Sequence, residues 1–104
     1  MSGARTLAGL GLAPPPGVSG EAEVRGLAHD SREVREGVVF FALEGARFDG
    51  ADFAPFALRQ RALAVVCSAR GAETVRRIWA EEGRETPEAG LPLVVVETPR
   101  AALA

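Results

Sequence analysis

The chain has 104 residues, a formal net charge of -2 at pH 7 and a pI near 5.4, which fits one domain with a core of its own. That weak negative balance excludes a general nucleic-acid surface, which needs a basic stripe to displace phosphate counterions, and no apolar run approaches the ~18 residues of a membrane span. All 12 basic residues are arginine, so the chain holds neither a Gly-Lys-Ser/Thr phosphate loop nor a Schiff-base lysine.

Residues 1–22 are small and rich in Gly and Pro and lack a secretory apolar region. They predict a short helix through Leu7 to Leu12, a loop over Pro14 to Gly20, and an extension that packs on the domain proper, residues 23–98. A first short strand is expected over Glu23 to Ala28. His29-Asp30-Ser31-Arg32 then gathers acceptor, hydroxyl and guanidinium groups, and the charges through Glu36 mark a solvated turn. Val38 to Leu43 is an unbroken apolar run, the pattern of a strand buried on both faces.

Glu44 to Gly50 is a loop with two glycines. A helix over Asp52 to Gln60 follows, capped by Asp49 or Asp52, with Pro55 in its first turn and Phe53, Phe56, Ala57 and Gln60 on one face. Ala62 to Cys67 forms the next strand and completes a βαβ unit. A second helix is expected over Ala72 to Glu82, burying Val75, Ile78 and Trp79, and Leu93 to Glu97 is the last strand. Residues 99–104 read as the start of a linker. The fold class is α/β: a small mixed or parallel β-sheet with two covering helices and a core that includes Phe40, Phe41, Phe53, Phe56, Cys67 and Trp79.

Loops leaving the carboxyl ends of such strands are where open α/β sheets bind ligands. The Glu44 to Gly50 loop is therefore a candidate site from the residues alone. Catalytic side chains are not expected: no Ser/His/Asp order can be argued from spacing, and the lone His29 has no metal-binding cluster around it. The single Cys67 makes no internal disulfide, in keeping with a reducing compartment.

Asp30-Ser31-Arg32, Gly37, the apolar strand, Gly45, Asp49-Gly50 and Asp52-Phe53, followed by Ala62 to Val66 and by Val94-Val95-Val96-Glu97-Thr98-Pro99-Arg100, resemble the amino-terminal domain of the Mur ligases over residues 24 to 104. These ATP-dependent enzymes extend the peptide of the peptidoglycan precursor. Pro99-Arg100 resembles the MurE type, the UDP-N-acetylmuramoyl-tripeptide synthetases. Arg47-Phe48-Asp49-Gly50 also reads well as the D-alanyl-D-alanine-adding MurF type. The chain departs from the family pattern at Val38, where an acidic residue is usual, and at Ala51, where a His is frequent.

The resemblance implies that this domain holds the UDP part of the substrate. Ser31 would hydrogen-bond that moiety, and His29 occupies a position whose backbone lines the same pocket. Ala46, Arg47 and Phe48 align with the loop bordering the uracil, whose O2, N3–H and O4 can be read by backbone groups. Arg47 can also stack on the base or reach the diphosphate. Asp30, Arg32, Asp49 and Gly50 support the turns, with Asp30 and Arg32 bonded to each other or to backbone.

By the same resemblance the full enzyme uses ATP and Mg²⁺, in a central domain, to phosphorylate the glutamate carboxylate of UDP-N-acetylmuramoyl-L-alanyl-D-glutamate, and then couples a diamino acid to the acyl phosphate. This domain would hold no cofactor, would be inactive alone, and would have as partners that substrate and its own central and carboxy-terminal domains. The expected location is the bacterial cytoplasm. The MurF type is one alternative; a standalone non-catalytic α/β binding module is another.

Overall fold

The computed structural model describes residues 5–45 and 49–103. Ala64-Val65-Val66-Cys67 is buried at every position, as a strand covered on both faces must be. It is the third strand of a four-stranded sheet made of β3 (Gly26–Ala28), β4 (Val38–Phe41), β5 (Ala64–Cys67) and β6 (Leu93–Val95), in that order and all parallel. Register pairs Phe40 with Val65 and Val66 with Val94. A separate antiparallel pair, β1 (Arg5–Thr6) with β2 (Glu23–Val24), precedes them.

Strand alternation sorts the core into two layers. Phe40, Val65, Cys67 and Leu93 meet Ala54 and Ala57 of α1 (Ala54–Arg59) and Ala72 and Val75 of α2 (Ala69–Glu81). Val39, Phe41, Ala64, Val66 and Val94 form a second cluster with Leu7, Leu12 and Val24, against which Ala102 and Leu103 of α3 (Pro99–Leu103) also pack. Val65 and Val66 are both 0% exposed, and burying a side chain of that size is worth about 1.5–3 kcal/mol. One face of the sheet is thus covered by the crossover helices, the other by the terminal segments.

The strand expected over Glu23 to Ala28 is two strands. Val24 pairs with Arg5 and Gly26 with Val38, while the amide of Arg25 between them donates to the Gly37 carbonyl at 2.9 Å. One stretch of chain serves two sheets. The first helix opens as a 3-10 turn over Gly50–Phe53, capped by the Asp49 carboxylate on the Ala51 amide, and becomes α1 with Pro55 in its first turn. The second helix starts at Ala69, three residues before the expected position, because Ser68 caps it by accepting from the Gly71 amide at 3.0 Å.

Two expectations about the core are corrected. Phe53 and Phe56 are 43% and 38% exposed, since Ala54 and Ala57 of α1 pack in the core while Phe53, at the end of the 3-10 turn, and Phe56, on α1, line a cavity. Ile78 and Trp79 are half-buried, and on α2 only Gly71, Ala72 and Val75 are fully buried.

Candidate functional site

The chain leaves the carboxyl end of β3 through His29 and Asp30 into a 3-10 turn over Ser31–Glu33. Asp30 fixes that turn. Its Oδ1 accepts from the Arg32 amide at 2.9 Å and from Arg32 Nε at 3.0 Å, and its Oδ2 accepts from Nη2 at 2.7 Å. The two side chains bond each other, as expected from the sequence, in the fork geometry that guanidinium and carboxylate favour. These hydrogen bonds from Arg32 pull the Asp30 carboxyl down to about 2, and Asp30 in turn raises the Arg32 guanidinium. The adjacent Ser31 is half-buried, and its hydroxyl carries no hydrogen bond to any described residue.

The β4–α1 connection is closed at its base. The Gly50 amide donates to the Leu43 carbonyl at 2.8 Å, and Glu44 bridges Asp49. The main chain passes so close here that a Cβ on Gly50 would lie 2.7 Å from the Leu43 nitrogen and 2.9 Å from Ala42 Cα. Ala46, Arg47 and Phe48, singled out from the sequence, lie outside the described residues.

Between these two connections lies a cavity of about 680 Å³. Its rim is polar, made by His29, Asp30, Ser31 and Arg32; Phe40, Leu43, Gly50, Phe53 and Phe56 give it an apolar floor and wall. This is the composition of a small-molecule site, apolar for the most part with a few polar groups that set orientation. Of the sequence candidates, the structure brings His29, Ser31, Asp30, Arg32 and Gly50 together, while Asp49 serves as the helix cap. Phe40, Leu43, Phe53 and Phe56 were missed as lining residues. The signal available was the i, i+3 spacing of Phe53 and Phe56 directly after the Gly50 turn, which reads equally well as a core stripe.

A second concavity of about 620 Å³ lies beyond the ends of β4, β5 and β6, beside Glu44, Ser68, Arg70 and Val95. Here Glu44 Oε2 accepts from Ser68 Oγ at 3.1 Å and from Arg70 Nη2 at 3.3 Å, tying the loop base to the start of α2. Among the described residues no grouping of three His, Cys, Asp or Glu side chains is placed to hold a metal ion. Cys67 is buried, and burial pushes its thiol up to about 11, which leaves it inert. Among the described residues no helix is long and apolar enough to cross a membrane. The first cavity offers a polar rim that includes the Ser31 hydroxyl, which can donate and accept, and aromatic walls, a set suited to holding a planar ligand with a few hydrogen-bonding edges.

Comparison with known proteins points to one family. A family model described as "Mur ligase family, catalytic domain" matches residues 23–104. The UDP-N-acetylmuramoyl-L-alanyl-D-glutamate--2,6-diaminopimelate ligase of Streptomyces coelicolor is 44% identical over 92 residues, covering 88% of this chain and 15% of that protein. The ligase of the same name from Mesorhizobium japonicum is 43% identical over 97 residues, covering 90% and 17%. Among solved structures, the MurF ligase from Thermotoga maritima in complex with ADP superposes with a TM-score of 0.54 at 34% identity, covering 77% of this chain and 15% of that one. MurF from Acinetobacter baumannii gives 0.53 at 25% identity, covering 78% and 14%. The chain thus spans about a sixth of the length of the curated relatives it matches.

Proposed function

The chain belongs to the Mur ligase family, and from that premise we propose that it is the amino-terminal, UDP-binding domain of a diaminopimelate-adding ligase acting on UDP-N-acetylmuramoyl-L-alanyl-D-glutamate in the cytoplasm. The observation that carries this reading is the first cavity, with its rim at His29 to Arg32 and its aromatic floor, in a chain whose curated relatives at 44% and 43% identity bear that ligase's name.

In this reading the domain does no bond-making. Ser31 donates to or accepts from the UDP moiety, the backbone around His29 shapes the rim, and the Asp30–Arg32 pair holds the turn that presents them. Ala46, Arg47 and Phe48 border the uracil from the β4–α1 loop. Gripping the nucleotide end places the distant glutamate carboxylate, so binding energy far from the chemistry serves orientation. ATP and Mg²⁺ act in the central domain, and the central and carboxy-terminal domains are this domain's partners. The MurF type is the second reading, favoured by the solved structures that share the fold; the higher identity to the diaminopimelate-adding relatives favours the first.

The test is an NMR titration of the 104-residue chain with UDP. Amide shifts should centre on His29 to Arg32 and on Leu43 to Phe56. Shifts centred on Ser68 to Arg70 and Val95 to Glu97 would move the site to the second concavity and overturn the assignment.

A further inference from the structure

Phe56 is a large apolar side chain left 38% exposed in a domain that buries Phe40 and Phe41 to 1%. It is not loose. It lies in the wall of the first cavity, and one helical turn later Arg59 sets its guanidinium carbon 5.5 Å from the ring centroid, within cation–π range. Arg59 is itself held: its Nη1 donates to Glu82 Oε1 at 3.0 Å, and the same oxygen accepts from Arg84 Nε at 2.9 Å. Arg84 lies 5.7 Å over the Trp79 ring, whose Nε1 donates to the Glu85 carbonyl.

A chain of contacts thus runs from the cavity wall to the end of α2 and its lone indole. Hydrogen bonding from Arg84, then the charge of Arg59, lowers the Glu82 carboxyl, so the anion holding Arg59 persists through the neutral range.

We propose that Phe56 is the ring against which the planar base of the bound nucleotide packs, and that Arg59, anchored by Glu82, is the positioning residue that fixes the ring in the cavity wall. The proposal rests on the reading of this cavity as the UDP site and adds the element that recognises the base as an aromatic surface. Every nucleobase has a π-face, so an aromatic wall holds the base while hydrogen-bonding groups elsewhere on the rim choose among bases. A ring already braced across two helices loses little freedom when the ligand arrives, so more of the contact appears as affinity.

The test uses the 104-residue chain, with UDP and uridine as probes, followed by calorimetry and by the uracil H5 and H6 proton shifts. Phe56→Leu keeps an apolar side chain and removes the ring. It should weaken both probes by the same factor, about five- to tenfold, and reduce the upfield ring-current shift of the bound uracil protons; Phe56→Trp should bind within about twofold of the parent. Arg59→Ala should weaken UDP about two- to threefold in the parent and have no effect in the Phe56→Leu background, the non-additivity of two residues acting as one. Equal UDP affinity and equal uracil shifts in Phe56→Leu and the parent would overturn the role of the ring while leaving the site in place. Equal Arg59→Ala effects in both backgrounds would overturn the positioning role. If the parent chain fails to bind UDP at millimolar concentration, the site reading fails and this inference with it.

Discussion

Replacing Gly50 by alanine isolates a purely steric demand at the cavity floor. The φ of Gly50 lies outside the left-handed region, so alanine has no conformational objection to the position. The new methyl, however, would meet Leu43 N at 2.7 Å and Ala42 C and Cα at 2.9 Å. All three are main-chain atoms of the segment leaving β4, and they cannot swing aside as a side-chain tip can.

Relief requires the 3-10 turn at Gly50–Phe53 to back away from β4, stretching the 2.8 Å bond from the Gly50 amide to Leu43. Overpacking of this kind costs about 1–3 kcal/mol, and at about 4 °C per kcal/mol for a domain of this size the melting temperature should fall by about 4–12 °C. Gly83→Ala is the control. Its φ of +70° carries a strain cost, but nothing lies within 4 Å of the point its new methyl would occupy, so it should cost about 1 kcal/mol through φ alone and leave UDP affinity untouched. Scanning calorimetry of both variants, with a UDP titration of each, measures the difference. A Gly50→Ala protein melting within about 2 °C of the parent, half the smallest fall expected, would refute the close-approach argument.

Three further outcomes are expected. Ser31→Ala should weaken UDP binding by about 0.5–1.5 kcal/mol if its partner is neutral and about 1.5–3 kcal/mol if it is a charged oxygen; unchanged affinity by calorimetry would return Ser31 to a turn residue. The Asp30 carboxyl, held near 2 by Arg32 against an ordinary value of 3.8, is depressed in the folded state, so its contribution to stability is present above pH 3.8 and is lost as pH falls through about 2; carboxyl-carbon NMR titration should show its value rising in Arg32→Ala. Ser68→Ala removes the α2 cap and the bond to Glu44, and should lower unfolding free energy by about 0.5–2 kcal/mol in urea denaturation; a loss under about 0.3 kcal/mol would show that the cap contributes nothing.

The sheet was legible because continuous apolar runs at Val38 to Leu43, Ala62 to Cys67 and Leu93 to Val96 admit little besides doubly covered strands. The start of α2 was not, because Gly71 reads as a breaker; its value lies in packing, since a Cβ there would come 3.3 Å from Cys67 Cβ. Arg25 hid the division of the first strand, as pairing with two different partners leaves no trace in local pattern. At the site, Asp30, Ser31 and Arg32 could be picked out because a hydroxyl between two opposite charges is turn chemistry. Phe53 and Phe56 went to the core because helical spacing says which residues share a face and not whether that face meets sheet or cavity. The brace from Arg59 to Glu82 joins residues far apart in the chain, and no periodicity encodes such a pair.

The division of the sheet's two faces between crossover helices and terminal segments has a bearing on how the chain acquires its structure during synthesis. Leu7, Leu12 and Val24 belong to a cluster completed by Val66 and Val94, so apolar residues made early in this stretch wait for partners that are made late in it. At ~5–20 residues per second that wait is on the order of 5–15 seconds. The βαβ portion can meanwhile form from neighbouring sequence, with the early segment docking onto a surface that did not exist when it emerged. The Gly- and Pro-rich stretch through Pro14-Pro15-Pro16 suits that interval, since it offers little regular structure for a waiting chain to adopt wrongly.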